Sequence, residues 1–589
     1  MSTGSSVVAI YDKVRGVVHV GKKDIKIGSP LPSAKDGERL IRFTSSLCPQ
    51  CFRILPAAII EREGALYIRR TCPEHGEVEE LYYSDAEMFK RIERYTYDGK
   101  GPGYAYTANT APCPLNCGLC PMHRTHTALL NIDVTNRCDL SCWYCFYFAE
   151  RAGYVYEPTL EDIKNMIESL RKQQDIVLSV QLTGGEPTLR EDLVDIVKLL
   201  RTLGVRHIQL NTHGIKFARL YFEDQNRAVA YAKSIREAGV NTVYLSFDGV
   251  TPHTNPKNHW EVPYTLQVFR EAGLTSVVFV PTVIKGVNDH ELGDILKIAA
   301  HNMDVVRGVN FQPVSLVGMM RKQDRARYRI TIPDVIKAIE EQSGGEIDRN
   351  SWFPVGAEVP IARFMELLSP RKRAEFTCHP ACGVATYVYV NKSDNGYTFE
   401  PITRFIDAEG LLEYLDRKAD SLYSKPRYIS KLGAYAAIFN ILNRFILWDK
   451  VPKDIKNELR SILLDIFFRR NYEALGRFHY KFLFIGMMHF MDEWNYDVSR
   501  VMRCAIHYAL PDGRIVPFCA FNILNDIYRD TPHRTFGVSL EEYLKIHGEK
   551  SLAQAKYVRS KELIEKMMRG EPYAKFYTPV MDKIREYIA

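Results

Sequence analysis

Between residues 128 and 315, short runs of strand-like alternation give way to helical spacing, and the switch repeats along the segment. Strand-like runs fall at Leu129–Val134, Ile176–Thr183, Val205–Asn211, Thr242–Phe247, Ser276–Ile284 and Val309–Val314. Helical stretches fill the gaps at Leu160–Gln173, Glu191–Leu203, Arg227–Ala238, Val262–Ala272 and His290–His301. Strands that alternate with helices predict a parallel sheet. Six such strands suit an open, partial (β/α)6 barrel better than a closed barrel of eight.

Outside this segment the pattern is less regular. Residues 1–40 are rich in Val, Gly and Lys and predict an irregular hairpin. From Leu47 to Tyr83, two cysteine turns flank the strand-like run Ala65–Ile68, the pattern of a small metal-stapled ribbon. Residues 99–127 hold so much Gly, Pro and Asn that they predict a loop. Beyond Met320 comes a basic loop, Arg321–Arg329, then a helix from Pro333 and a β excursion over 376–405. Residues 408–500 predict mostly helix, 501–522 a β-like turn, and the last 60 residues amphipathic helices. The expected units are therefore 1–98, a ribbon with a metal site; 99–127, a cysteine loop; 128–320, the barrel; and 321–589, a mostly helical region.

Composition narrows the class. The chain has 589 residues, 46% hydrophobic and 25% charged, which excludes a disordered protein and a small disulfide scaffold. A net charge of +7 is small against so many ionised side chains, and no nucleic-acid partner is expected. Mean hydropathy is −0.22, no apolar run is long enough to cross a bilayer, and Met1–Ala9 has no signal-peptide character. These features predict a cytoplasmic location.

The thirteen cysteines carry the chemistry. In a large intracellular chain, cysteines at short spacings point to metal rather than to disulfides. Cys48, Cys51, Cys72 and His75 have the form of a tetrahedral mononuclear site for zinc or iron. Cys138, Cys142 and Cys145 follow the first predicted strand. Three thiolates can hold three irons of a [4Fe–4S] cluster and leave the fourth open to an external ligand. Cys113, Cys117 and Cys120 repeat that spacing without a strand before them, which predicts an auxiliary cluster, with His123 or His126 as candidate fourth ligand. Cys378, Cys382, Cys504 and Cys519 supply four thiolates for a second auxiliary cluster without an open iron.

The run Asn131-Ile-Asp-Val-Thr-Asn-Arg-Cys138-Asp-Leu-Ser-Cys142-Trp-Tyr-Cys145 resembles the signature loop of the radical S-adenosylmethionine superfamily. The resemblance implies a partial radical S-adenosylmethionine barrel, with Gly184-Gly185-Glu186 as the methionine-binding motif and Tyr144 packed against adenine. It also implies cofactor contacts from Asn211, Ser246, Asp248, Asn288 and Gln312. The implied cofactors are S-adenosylmethionine, three [4Fe–4S] clusters and one mononuclear iron or zinc.

The order of the cysteine motifs over residues 45–525 resembles, within that superfamily, the archaeal tetraether lipid synthases. That likeness implies C–C bond formation between unactivated carbons of archaeal ether phospholipids, a low-potential electron donor and peripheral contact with a membrane. The apolar stretches at 435–448 and 478–491 read either as ordinary helical core or as a wall for lipid chains, and Arg321, Lys322, Arg325, Arg327 and Arg329 either as a solvated basic loop or as a grip for an anionic headgroup. The alternatives are a related radical enzyme that cross-links tetraether chains or methylates a pterin or a lipid, and, without catalysis, a multi-cluster electron-transfer protein.

Overall fold

A computed structural model describes residues 9–147, 152–174, 179–320, 322–369, 373–393, 396–465, 472–548 and 556–588. The six expected barrel strands are Leu129–Thr135, Ser179–Gly184, His207–Thr212, Thr242–Ser246, Val277–Val280 and Val306–Pro313. They lie side by side in chain order, every neighbouring pair parallel. Residues 176–178 of the second predicted run fall outside the described residues. The fifth run breaks at Pro281, which has no N–H for the ladder, and resumes as Thr282–Val283.

Alternation decides what each strand shows to either side. On the first strand Leu130, Ile132 and Val134 are fully buried in the main core, beneath the surrounding helices. Leu129, Asn131 and Asp133 point the other way, into the barrel. The helices Leu160–Gln173, Leu193–Thr202, Gln225–Ala238, Val262–Glu271 and Leu292–His301 cover the outer face as predicted. One further helix, Ile215–Glu223, begins directly after Gly214, whose φ of 80° makes the turn from the third strand.

The barrel sheet extends at both edges with strands from far along the chain. Ile506–Ala509 adds parallel to the first strand, and Ile515–Pro517 turns back against it. At the other edge Phe482–Met488 adds parallel to the sixth strand and is followed by the antiparallel Gly383–Ser393. The stretch 478–491, expected as helix, is therefore a strand at its centre. Leu483, Ile485 and Met487 are fully buried in the main core. A strand covered on both faces shows no alternation, so periodicity alone cannot separate it from a buried helix.

At the N-terminus Ala9–Asp12, Val17–Val20 and Lys23–Lys26 form a small antiparallel sheet. Arg39–Leu47, Ile54–Arg62, Ala65–Cys72 and Gly76–Tyr83 form the four-stranded ribbon. In the C-terminal region, helices Glu358–Leu368, Ala408–Tyr423 and Arg427–Asn440 share a core of their own around Phe364, Leu415 and Ile438. The last helices return to the barrel, where Met567, Tyr573 and Tyr577 join the main core. Among the described residues, no helix is long and apolar enough to cross a membrane.

Candidate functional site

The C-terminal ends of the barrel strands open onto a cavity of about 280 Å³. The loop after the first strand brings Cys138, Cys142 and Cys145 to its wall, beside Gly184, Gly185 and Glu186 from the second strand. Burial pushes the Cys142 thiol up to about 11 and the Cys145 thiol up to about 12. Thiols in that state ionise on binding metal, so the trio fits a metal cluster better than a free nucleophile.

The two glycines are required by the chain itself. A Cβ on Gly184 would lie 2.1 Å from the Thr135 carbonyl oxygen, and one on Gly185 2.1 Å from that of Arg137. This close approach anchors the second strand to the start of the cysteine loop, through Gly185 N–H to Thr135 C=O at 2.8 Å and Glu186 N–H to Arg137 C=O at 2.8 Å. The Glu186 carboxylate accepts from the hydroxyls of Thr188 (2.6 Å) and Thr212 (2.7 Å) and from the His213 N–H (2.9 Å). Its rotamer is thereby locked at the cavity wall.

Tyr144, Asn211, Ser246 and Gln312 also line the cavity. Asp248 and Asn288 do not. Asp248 accepts from the Thr282 N–H (2.8 Å), the Tyr144 hydroxyl and the Lys257 ammonium (2.7 Å), and Asn288 donates to the carbonyls of Asp248 and Thr282 at 2.7 Å each. Through these bonds both brace Tyr144 and Lys257. Tyr144 correspondingly spends its hydroxyl on Asp248, with the Lys257 ammonium 5.2 Å above its ring.

Sequence reasoning missed three residues here. Lys257 is a half-buried cation facing the cysteine loop, and burial opposes its charge while Asp248 sustains it. His213 bridges Asp139 (2.7 Å) and Glu186 (3.1 Å); although burial opposes the charge, these carboxylates hold its pKa well above the usual imidazole value. Asp133 is the third. The signal that was available is the polarity of the inward strand positions. Asn131, Asp133, Gln181, Asn211, Tyr244 and Gln312 all face the lumen, and Asn131, Gln181 and Gln209 are joined side chain to side chain.

The auxiliary cysteines fall into two smaller pockets. Cys378, Cys382, Cys504 and Cys519 line one, with Arg500 donating to the Cys382 sulfur at 3.2 Å and the Met491 N–H to the Cys519 sulfur at 3.4 Å. Met488, Phe490 and Ile506 line both this pocket and the barrel cavity. Cys113, Cys117 and Cys120 line the other, together with His123. His123 lies 2.9 Å from the Cys504 carbonyl and 3.0 Å from His507 through its Nε2. His126 instead accepts the Glu375 N–H at 3.3 Å and does not line the pocket.

In the ribbon, Cys48, Cys51, Cys72 and His75 converge, with ligand atoms all within 4.8 Å of one another. Cys51 and Cys72 sulfurs are 3.9 Å apart, and His75 Nδ1 lies 3.4 Å from Cys48 and 3.5 Å from Cys72. A tetrahedron with metal–sulfur bonds of about 2.3 Å has sulfur–sulfur edges of about 3.8 Å. The four donors fit one metal ion. Burial raises the Cys72 thiol, but the N–H groups of Glu74 and His75 and the His75 ring outweigh it and bring its pKa down to about 7.

The expected lipid-binding features have other uses. Arg321 lies outside the described residues. Lys322 pairs with Glu493 (3.2 Å), Arg325 with Glu80 (2.6 Å), and buried Arg329 with Asp492 (2.6 Å) and Glu80 (3.3 Å). Through Arg325 and Arg329 the basic loop clamps the ribbon to the barrel, while Arg327 is exposed and lies over the Tyr328 ring at 5.1 Å. The apolar stretch 478–491 is sheet core, as described above.

Comparison with known proteins fits this anatomy. Residues 132–299 match the Radical SAM superfamily, and residues 40–84 match the HMPTM N-terminal zinc ribbon domain. The chain is 43% identical over 514 residues to the 7,8-dihydro-6-hydroxymethylpterin dimethyltransferase of Methanocaldococcus jannaschii, covering 86% of this chain and 97% of that one. A probable GTP 3′,8-cyclase of Methanothermobacter marburgensis is 29% identical over 261 residues, 41% of this chain and 78% of the relative. Among solved structures, Streptococcus suis SuiB overlaps 37% of this chain and 46% of its own, at 17% identity and a TM-score of 0.29, too slight to carry anything further.

The long pterin-enzyme match overturns the expectation of a lipid C–C bond-forming synthase. The lumen gives a physical reason: beside its aromatic end it carries Asn131, Asp133, Gln181, Asn211 and Gln312, which a hydrocarbon would desolvate without returning a hydrogen bond. With a radical SAM domain, a zinc ribbon and near-complete coverage of that relative, the chain belongs to the family of the 7,8-dihydro-6-hydroxymethylpterin dimethyltransferase, within the radical SAM superfamily.

Proposed function

We propose that this enzyme methylates a reduced pterin by radical chemistry. The observation that carries the reading is the 43% identity extending over 86% of the chain, so that it spans the cysteine-bearing regions outside the barrel as well as the barrel. The polar lumen supports it, since a pterin presents amide, amine and ring-nitrogen edges that Asn, Gln and Tyr side chains can meet. Cys138, Cys142 and Cys145 would hold the [4Fe–4S] cluster, which would supply the electron for reductive cleavage of S-adenosylmethionine. Glu186, fixed by Thr188 and Thr212, would orient the methionine ammonium, and Lys257 would offset the negative charge gathered by the thiolates.

The four-cysteine and three-cysteine pockets fit two auxiliary clusters, and the ribbon donors fit zinc. A low-potential electron donor is the expected partner. Anaerobic incubation with 7,8-dihydro-6-hydroxymethylpterin, a reductant, S-adenosylmethionine as the radical source and a separate one-carbon donor (a second S-adenosylmethionine or a methylene-carrying reduced folate) should give products heavier by one and two CH2 units by mass spectrometry. Abundant 5′-deoxyadenosine with no methylated pterin would overturn the reading.

A further inference from the structure

Asp133 stands out among the lumen residues. It is 4% exposed, lines the cavity, and its Oδ2 has no hydrogen-bond partner among the described residues. Burial pushes its pKa up to about 7, against weaker opposing pulls from the Tyr147 hydroxyl and the Arg529 guanidinium. Arg529 is itself engaged with Asp530 at 2.9 Å. A buried carboxylate left this way is costly unless something binds it.

The wall beside it is aromatic. Tyr508 sits on the neighbouring strand, in register with Asn131, two residues before Asp133. Its ring stacks on Phe521 at 3.9 Å, while Phe518 stacks on Phe490 at 3.8 Å and Phe146 meets both edge-on at 6.1 and 6.3 Å. Tyr508, Phe518, Phe490 and Phe146 all line the cavity. This end therefore offers an apolar, aromatic surface with one carboxylate at its margin. The complementary ligand is a flat ring with two adjacent N–H donors on one edge. A 2-amino-4-oxopyrimidine ring has that edge, in N3–H and the exocyclic amine. Adenine does not, because the ring nitrogen beside its amine accepts.

We infer that Asp133 is the specificity residue for the 2-amino-4-oxopyrimidine edge of the substrate, its carboxylate accepting from N3–H and the 2-amino group while the ring lies against the aromatic wall. This rests on the pterin reading of the cavity and adds to it the residue and the edge recognised.

The test is equilibrium binding of 6-hydroxymethylpterin, and of the lumazine analogue with oxygen in place of the 2-amino group, to the iron-loaded, anaerobic enzyme, followed by ligand fluorescence. An oxygen lone pair facing the carboxylate should weaken lumazine binding to the wild type by about tenfold or more. Asp133→Asn, which keeps the shape, and Asp133→Ala should bring the two ligands to within about twofold of each other. Should the alanine variant fail to fold, the asparagine variant and the wild-type preference decide the matter. A wild type that binds both ligands equally, or an Asp133→Asn variant that keeps the preference, would overturn the inference and leave the pterin reading standing. A wild type that binds neither would overturn both.

Discussion

The ribbon and the barrel mouth each gather three cysteines within reach of a histidine, yet they are built for opposite ends. In the ribbon, four donors close a tetrahedron around a space for one ion, and Cys48 and Cys72 are buried at its core. At the barrel mouth, three thiols share a cavity wall with a fixed glutamate, a half-buried lysine and polar lumen residues, and the nearby histidine is turned toward carboxylates. A complete donor set stores stability. An incomplete one beside a cavity leaves a coordination position for chemistry.

Substitution should separate the two most sharply at the cysteines. Replacing Cys138, Cys142 and Cys145 with Ala is expected to abolish 5′-deoxyadenosine formation under dithionite, measured by chromatography, while the ribbon metal stays bound. Residual cleavage would transfer the radical role to the Cys113 trio.

The converse change, Cys48→Ser with Cys51→Ser, should remove one metal equivalent by elemental analysis and lower the first thermal transition by several degrees, on the order of 5 °C. S-adenosylmethionine cleavage should persist at a comparable rate. Loss of cleavage in parallel with metal would show that the ribbon is not separable from the barrel.

The seam between the two regions is the Arg329–Asp492 pair, with Glu80 of the ribbon on the same guanidinium. Arg329→Met leaves Asp492 buried and unpaired and should destabilise the fold by about 3–5 kcal/mol, read by denaturant titration. Arg329 holds Asp492 down to about 2 in spite of its burial. A carboxylate whose folded pKa is depressed stabilises the fold when ionised. Its contribution is complete above about 4 and is lost as pH falls toward 2. Asp492→Asn should therefore flatten the stability profile between pH 4 and 2; an unchanged slope would place the acid sensitivity elsewhere.

The smallest effect is expected at the braces of the barrel mouth. Asn288→Ala removes two donors from the carbonyls of Asp248 and Thr282 and should raise the apparent KM for S-adenosylmethionine by a few fold with little change in kcat, through a loosened Tyr144–Asp248–Lys257 set. A change in kcat alone would argue for a direct contact.

How legible this was varied by element. The barrel strands could be read because Leu130, Ile132 and Val134 alternate with Asn131 and Asp133, and the cysteine loops because metal fixes their spacing. The same alternation already held the polarity of the lumen, but the order of the cysteine motifs pointed toward lipid, and only the folded barrel sets Asn131, Gln181, Tyr244 and Gln312 around one space. Lys257 and His213 reach their partners through long-range packing that leaves no local mark. Phe482–Met488 was misread because a strand with neighbours on both sides and cover on both faces has no polar side to betray it.

One consequence of the extended sheet concerns how the chain is made. Asn131 donates to the carbonyl of His507 across the edge of the first barrel strand, 376 positions later in the sequence. At a synthesis rate of roughly 5–20 residues per second, that strand waits about 20–75 s for its outer neighbour. Throughout that interval it offers an unpaired edge to any other extended segment, including the same edge on another nascent chain. A chain ended at residue 320 would keep that edge permanently. The last third of the polypeptide is thus a built-in edge guard, delivered only when translation is nearly done.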